Sequence, residues 1–241
     1  MLENIVSDEV LFLDIETVPQ QSSFDSLDEG YRRLWEKKSS FFRQPDERAA
    51  DVYNRAGIYA EFGKIICIST GYLYFHNGEF HFRVKSFYGD DEKALLMDFA
   101  QMVNAFLAKK TIYLCAHNGK EFDFPYIARR MLINGICLPI VLDVAGRKPW
   151  EVNFIDTLEL WKFGDYKNYT SLDLLTKVFG IPSPKDDIDG SMVADVYWKE
   201  KDLQRIVMYC EKDVLAIAQL FRRYRGEDLI KQENCTSVTL F

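Results

Sequence analysis

The 241-residue sequence predicts one α/β domain built on a mixed five-stranded sheet, its first strands antiparallel and its later ones parallel, with helices on both faces. Three observations predict it. Short apolar runs end in acidic residues, an Asn-Gly step joins two β-branched and aromatic runs, and amphipathic helical stretches alternate with further short strands. No repeat, low-complexity tract or domain boundary interrupts the pattern over residues 1–241.

Val10-Leu11-Phe12-Leu13 reads as a buried strand that delivers Asp14-Ile15-Glu16-Thr17 and stops at Pro19, which cannot continue a ladder. Residues 20–60 are polar and rich in Ser, Arg, Glu and aromatics, as expected of a helical insertion that leaves the core. Lys64–Phe75 and Glu79–Phe87 form an antiparallel hairpin around His76-Asn77-Gly78. Asp90-Asp91-Glu92 opens a helix whose apolar face is Leu95, Leu96, Phe99, Met102, Val103, Phe106 and Leu107. Thr111–Cys115 is a buried strand, Phe124–Asn134 a helix and Asn153–Thr157 the last strand. Helices over Ser171–Phe179 and Leu203–Tyr224 are stopped by Gly180 with Pro182 and by Gly226. Residues 227–241 are expected to be a flexible tail.

Composition narrows the function classes. With 48% hydrophobic residues the chain can bury a sizeable core, which excludes a disordered or fibrous protein. The net charge of −7 excludes a broadly basic nucleic-acid-coating protein, so a nucleic-acid site must be local or must recruit metal ions. Five widely spaced cysteines without a C-x-x-C pair, and an acidic N-terminus without a leader, point to reduced thiols in a cytoplasm. No apolar stretch approaches the roughly 20 residues of a membrane span, so no membrane partner is expected.

The acids carry the chemistry. Asp14 and Glu16 are two residues apart on a strand, which puts both carboxylates on one face about 6–7 Å apart, able to grip one cation. Asp123, between Phe122 and Phe124 and before Pro125, occupies an N-cap position just beyond a strand end. Tyr209 and Asp213 are four residues apart on the last long helix and share a face.

In that order, LFLDIETVP, HNGKEFDFPYI and YCEKDV closely resemble the three motifs of the DEDD superfamily of 3′–5′ exonucleases, specifically the proofreading domain of family B DNA polymerases. The histidine subtype carries His five residues before the last Asp. Met208 stands there, and Tyr209 stands four before, which matches the tyrosine subtype. The resemblance runs from about Val10 to Tyr224 and leaves no room for a polymerase, so it is closest to stand-alone polymerase-B-like exonucleases.

It implies a ribonuclease H-like fold and hydrolysis assisted by two divalent metal ions, Mg²⁺ or Mn²⁺. Asp14, Glu16 and Asp213 would hold one ion, Asp14 and Asp123 the other. Tyr209 would orient the attacking water, and Thr17, Asn118 and Phe122 would touch the terminal nucleotides. The implied substrate is the 3′ end of single-stranded DNA. An exoribonuclease is the alternative within the class, and a non-catalytic nucleic-acid-end or replication-partner binding module is the alternative outside it.

Such chemistry suits these residues. Phosphodiester hydrolysis needs charge neutralisation that two cations supply, and carboxylate oxygens are the ligands Mg²⁺ and Mn²⁺ prefer. Crowded carboxylates repel by roughly 4 kcal/mol per pair at 4 Å and an effective dielectric of 20, so the cluster calls for cations. Arg147-Lys148-Pro149-Trp150 and Lys162–Tyr169 are the best basic-aromatic segments for gripping a single strand. His117 reads as a loop histidine satisfied by backbone. Lys185–Gly190 reads as a solvated acidic loop without a calcium-loop pattern. Ser237–Phe241 is loosely similar to C-terminal pentapeptides that bind the bacterial sliding clamp.

Overall fold

A strand buried on both faces organises the molecule. The computed structural model describes residues 2–165, 169–182 and 187–241. Its elements are β1 (Val10–Pro19), α1 (Glu29–Ser39), β2 (Gly63–His76), β3 (Glu79–Tyr88), α2 (Glu92–Leu107), β4 (Tyr113–Ala116), α3 (Asp123–Ile133), β5 (Phe154–Asp156), α4 (Thr157–Lys162), α5 (Leu172–Phe179), α6 (Val193–Asp195), a π-helical turn (Val196–Glu200), α7 (Leu203–Tyr224) and β6 (Cys235–Ser237).

The sheet runs β5-β4-β1-β2-β3-β6. β1, β2 and β3 pair antiparallel, whereas β4, β5 and β6 each pair parallel to their neighbour. At the β2–β3 turn, Asn77 (φ 50°) and Gly78 (φ 84°) are both left-handed, as a two-residue turn matching the twist of a hairpin requires.

The sheet therefore has six strands rather than the expected five. The sixth comes from the supposedly flexible tail: Cys235–Ser237 pairs with Phe82–Val84, and Val238 N donates to Val84 O. A three-residue strand is too short to show a hydrophobic period, so its pairing rests on neighbours that sequence does not display. Glu211 of α7 accepts hydrogen bonds from the hydroxyls of Ser86, Ser237 and Thr239 and so fastens the tail to the sheet.

Alternation along β1 divides the core. Leu11, Leu13 and Ile15 pack with Leu96 and Phe99 of α2 and Ile127 and Met131 of α3. Val10 and Phe12 pack on the opposite face against Val214, Ile217 and Phe221 of α7. Each such fully buried side chain contributes about 1.5–3 kcal/mol relative to exposure.

Residues 20–60 fold around Trp35, fully buried among Leu27, Val52, Tyr53 and Phe62, with its indole N–H on Ala49 O at 2.9 Å. This insertion docks where Tyr126 donates to Gly57 O at 2.7 Å and Arg130 to Ala60 O at 2.8 Å. Arg130 also forks onto buried Glu92 at 2.9 and 2.5 Å, and Glu92 accepts Ile65 N and Asn134 Nδ2. The five cysteines are free thiols. Among the described residues no helix is long and apolar enough to cross a membrane.

Candidate active site

The alternation that buries β1 also presents its acids. Even-numbered side chains face α7, and after Val10 and Phe12 the next two on that face are Asp14 and Glu16. Asp14 is half-buried, and Glu16 is 7% exposed. The register slips between Glu16 and Thr17, with Glu16 opposite Cys67 and Thr17 opposite Ile65, so Ile66 is the extra residue of a bulge. Such bulges re-aim side chains beside functional sites.

α7 brings the second group. Asp202 caps its start by accepting Arg205 N, and one turn separates Tyr209 from Asp213, each 8% exposed. The Tyr209 phenol lies close enough to the Asp213 carboxylate to feel its charge. Burial, then Asp213, Glu16 and Asp14, push the phenol far above its ordinary range, so it keeps its proton. Cys210, next to Tyr209, is fully buried and donates from Sγ to Asp14 Oδ2 at 3.4 Å.

The loop after β4 supplies the third. Asn118 takes a left-handed φ of 61°, and Gly119 sits so close to Ala116 and the Phe124 ring that a Cβ there would lie 2.4 Å from the Ala116 methyl. Asp156, at the end of β5, fixes this loop by accepting Asn118 N at 2.9 Å and Lys120 N at 3.0 Å, as well as Leu158 N of α4.

Asp123 is the first residue of α3 rather than its N-cap, which is Phe122. Its own backbone N–H and that of Ile15 both favour the ionised carboxylate, which places the side chain beside β1.

Three segments thus converge. Burial raises the carboxyl of Asp14 well above the usual range, and Asp213, Asp123 and Glu16 raise it further. Glu16 is raised by burial, then by Asp213, Cys67 and Asp123. Asp123 is pushed up to about 7 by burial first, with Asp156 and Asp213 adding to it and the two backbone N–H bonds opposing. These like charges meet in a buried place where each disfavours the others.

Residues 58–234 match the family described as predicted 3′–5′ exonucleases related to the exonuclease domain of PolB. The chain belongs to this family. The matched stretch contains Asp123, Tyr209 and Asp213 and begins after Asp14 and Glu16. Among curated proteins none matches the chain. A solved structure with a similar fold is the family B DNA polymerase from the hyperthermophilic archaeon Pyrobaculum calidifontis. It matches at a TM-score of 0.50 and 16% identity, over 89% of this chain and 24% of that one. At that identity the likeness concerns the fold, which is the polymerase exonuclease fold.

In this chain the donor set fits divalent cations. Ligand atoms of Asp14, Glu16 and Cys210 all lie within 4.8 Å of one another, and the charges acting on Asp14 come from acids alone. Hard carboxylate oxygens outnumber the one thiol, which favours Mg²⁺ or Mn²⁺ over softer ions.

The other expected residues divide. Asn118 and Phe122 flank Asp123 and are half-buried, Phe122 against Tyr126 at 5.4 Å between ring centroids. Thr17 lies just past Glu16 and its hydroxyl is hydrogen-bonded to Tyr126. His117 is held by Thr157 Oγ1 at 2.9 Å and Thr170 O at 3.0 Å, so it belongs to the scaffold. Trp150, with Lys148 over its ring, lies on the loop that enters β5 at the end opposite Asp156, away from the carboxylates. Within Lys162–Tyr169, residues 166–168 lie outside the described residues; Tyr169 is exposed overall, and desolvation of its phenol first, then Asp123 and Asp156, raise it. Within Lys185–Gly190, residues 185 and 186 also lie outside them, and exposed Asp187 pairs with Arg205.

Sequence reasoning missed Asp156 and Cys210. Asp156 had a signal: like Asp14, it ends a short apolar strand, Phe154-Ile155-Asp156. Cys210 had none beyond its place beside Tyr209.

Proposed function

We propose that the chain is a metal-dependent 3′–5′ exonuclease of the tyrosine subtype that removes nucleotides from the 3′ end of single-stranded DNA by two-metal-ion hydrolysis. The observation that supports this reading is that Asp14, Glu16, Asp123, Asp213 and Tyr209, drawn from three separated segments, lie near enough to act on one another's charges.

Asp14, Glu16 and Asp213 would hold one divalent ion, Mg²⁺ or Mn²⁺, and Asp14 with Asp123 the second. When bound, such a pair neutralises the phosphate, raises the acidity of water and stabilises the departing 3′-oxygen. Tyr209 keeps its proton beside Asp213, so its oxygen orients the attacking water and does not act as the base. Asn118 and Phe122 stand beside Asp123 to hold the terminal nucleotide, and the Thr17 backbone borders the 3′ end. A sliding-clamp contact through Ser237–Phe241 would rest on Leu240 and Phe241, which point outward while Ser237 and Thr239 bind Glu211.

Digestion of 3′-labelled and 5′-labelled single strands, as matched DNA and RNA, with Mn²⁺ or with chelator, tests the proposal. Wild-type protein should release mononucleotides from DNA 3′ ends only with the cation, and Asp14→Ala should release none. Equal activity of the two proteins overturns the reading.

A further inference from the structure

Beyond the carboxylates, β2 presents a second group of side chains on the same face. The bulge at Ile66 sends both Cys67 and Ile66 toward α7, where they pack with Val207 and with Tyr209. Ile65 then faces α2 and α3, and Lys64 returns to the α7 side. Had the strand alternated regularly from Cys67 through Ile66, Lys64 would point to the opposite face. Lys64 pairs in register with Val18, the residue after Glu16 on the catalytic face, so its backbone lies about 6–7 Å farther along the strand than Glu16.

Lys64 does not stand alone there. Its Nζ lies 4.8 Å from the Tyr197 ring and 5.1 Å from the Trp198 ring; the Nζ of Lys201 lies 6.0 and 5.0 Å from the same two rings. The aromatic pair is itself fixed. Trp198 donates its indole N–H to Pro19 O at 3.1 Å, and Tyr197 donates to Asp90 at 2.5 Å while accepting from Lys64 at 2.8 Å. Both aromatics belong to the π-helical turn, and Lys201 follows it in a left-handed conformation with φ 58°. Single-turn π-helices concentrate at functional sites.

The charge arrangement is unfinished. Lys110, Lys120, Lys199 and Lys231 each have a carboxylate partner. Among the described residues neither Lys64 nor Lys201 is in an ion pair; burial first, and then the nearby Lys201, lower the pKa of the Lys64 ammonium. The acids facing Lys64 are Asp90 and Glu92, the first occupied by Tyr197 and the second by Arg130. Two ammonium groups on one aromatic platform, beside a carboxylate cluster, form a ready seat for an anion.

We infer that Lys64 and Lys201, presented by Tyr197 and Trp198, hold a backbone phosphate of the substrate strand upstream of the scissile one. The inference rests on the proposed exonuclease reading for the direction of the strand. It explains how a chain at net −7 grips a polyanion: metal ions would serve the terminal phosphate and this lysine pair the next part of the strand. The contact is with phosphate, so it is indifferent to base sequence.

Equilibrium binding of a single-stranded oligonucleotide with 3′-terminal phosphorothioate linkages, followed by fluorescence anisotropy over a series of salt concentrations, tests it. Lys64→Gln with Lys201→Gln should weaken binding by about tenfold at low salt. The slope of log K against log salt should become shallower by about 0.7 for each lysine removed. Exposed Lys201→Gln alone should remove about 0.7, which guards against a folding defect at Lys64. Lys199→Gln, whose partner is Asp195, should leave the slope at the wild-type value.

An unchanged slope in the double variant overturns the inference. Digestion of the unmodified strand in parallel keeps the two claims apart. Lysine-dependent binding without degradation would sink the exonuclease reading and leave the phosphate seat standing, whereas degradation with an unchanged slope would do the reverse.

Discussion

Two clusters of ionisable groups sit within this fold and have opposite designs. At the seam between β2, α2 and α3, Glu92 is surrounded by donors: both arms of Arg130, the Ile65 amide and the Asn134 amide. At the meeting of β1, α3 and α7, by contrast, the carboxyl of Asp14 is raised first by burial and then by the charges of Asp213, Asp123 and Glu16. Completed pairing marks a structural site. Charge left to be neutralised from outside marks a site built for cations.

The comparison can be broken most forcefully at the acid cluster. Asp213→Ala should lower exonuclease turnover by at least about 10³-fold, beyond the roughly 10–100-fold loss usual for residues that only support a ligand. Circular dichroism should show the fold retained. A variant that keeps activity within tenfold of wild type would refute the assignment.

At the seam the expected change is in stability. Arg130→Met strands the Glu92 carboxylate and should cost about 3–5 kcal/mol in urea unfolding. A cost under about 1 kcal/mol would show that the seam holds nothing together.

Tyr209→Phe removes only the hydroxyl that faces the cluster. It should lower kcat by about 10²-fold, the effect of a misplaced reactant, with KM for oligonucleotides little changed. An equal change in KM alone would make Tyr209 a binding residue instead.

Titration distinguishes the clusters further. Asp123 is held up to about 7, and Asp14 and Glu16 are raised as well, so the folded chain binds these protons more tightly than the unfolded chain. Groups raised in this way give stability that is complete below the ordinary carboxyl range near pH 4 and is lost as pH rises through about 7. Metal-free protein should therefore melt at a lower temperature at pH 8 than at pH 5, and Asp14→Asn should shrink the difference. Mn²⁺ at a hundred times its dissociation constant should restore about 2.7 kcal/mol at pH 8. A melting temperature indifferent to both pH and cation would remove the electrostatic account of the site.

The smallest effect belongs to the tail. Thr239→Val deletes one of three hydroxyls on Glu211 and should cost about 0.5–1.5 kcal/mol while leaving strand β1 and the acids in place. Amide exchange at Ser86, whose N–H donates to Thr239, reads the change directly.

Much of this molecule was legible residue by residue. Val10–Leu13, the Asn77-Gly78 turn, the acidic start of α2 and the Tyr209–Asp213 spacing are local signals, since alternation, turn chemistry and helical period operate within a few residues. The elements that escaped depend on distant partners. β6 is defined by its pairing with β3, the role of Asp156 by amides of the β4–α3 loop, and the place of Asp123 by the Ile15 amide. Register slips are equally invisible: nothing in Lys64-Ile65-Ile66-Cys67 announces that two neighbours will share a face.

The sequence by itself determined which residue types occupy each strand end and helix face, because hydrophobic period and capping chemistry are properties of a short stretch of chain. Only the tertiary structure decided that Asp14, Glu16, Asp123 and Asp213 disturb one another and that Lys64 joins Lys201 on one aromatic platform. Those outcomes depend on distances of a few ångströms between segments far apart in the chain. Coulombic and hydrogen-bond energies change steeply over such distances, and sequence separation carries no information about them.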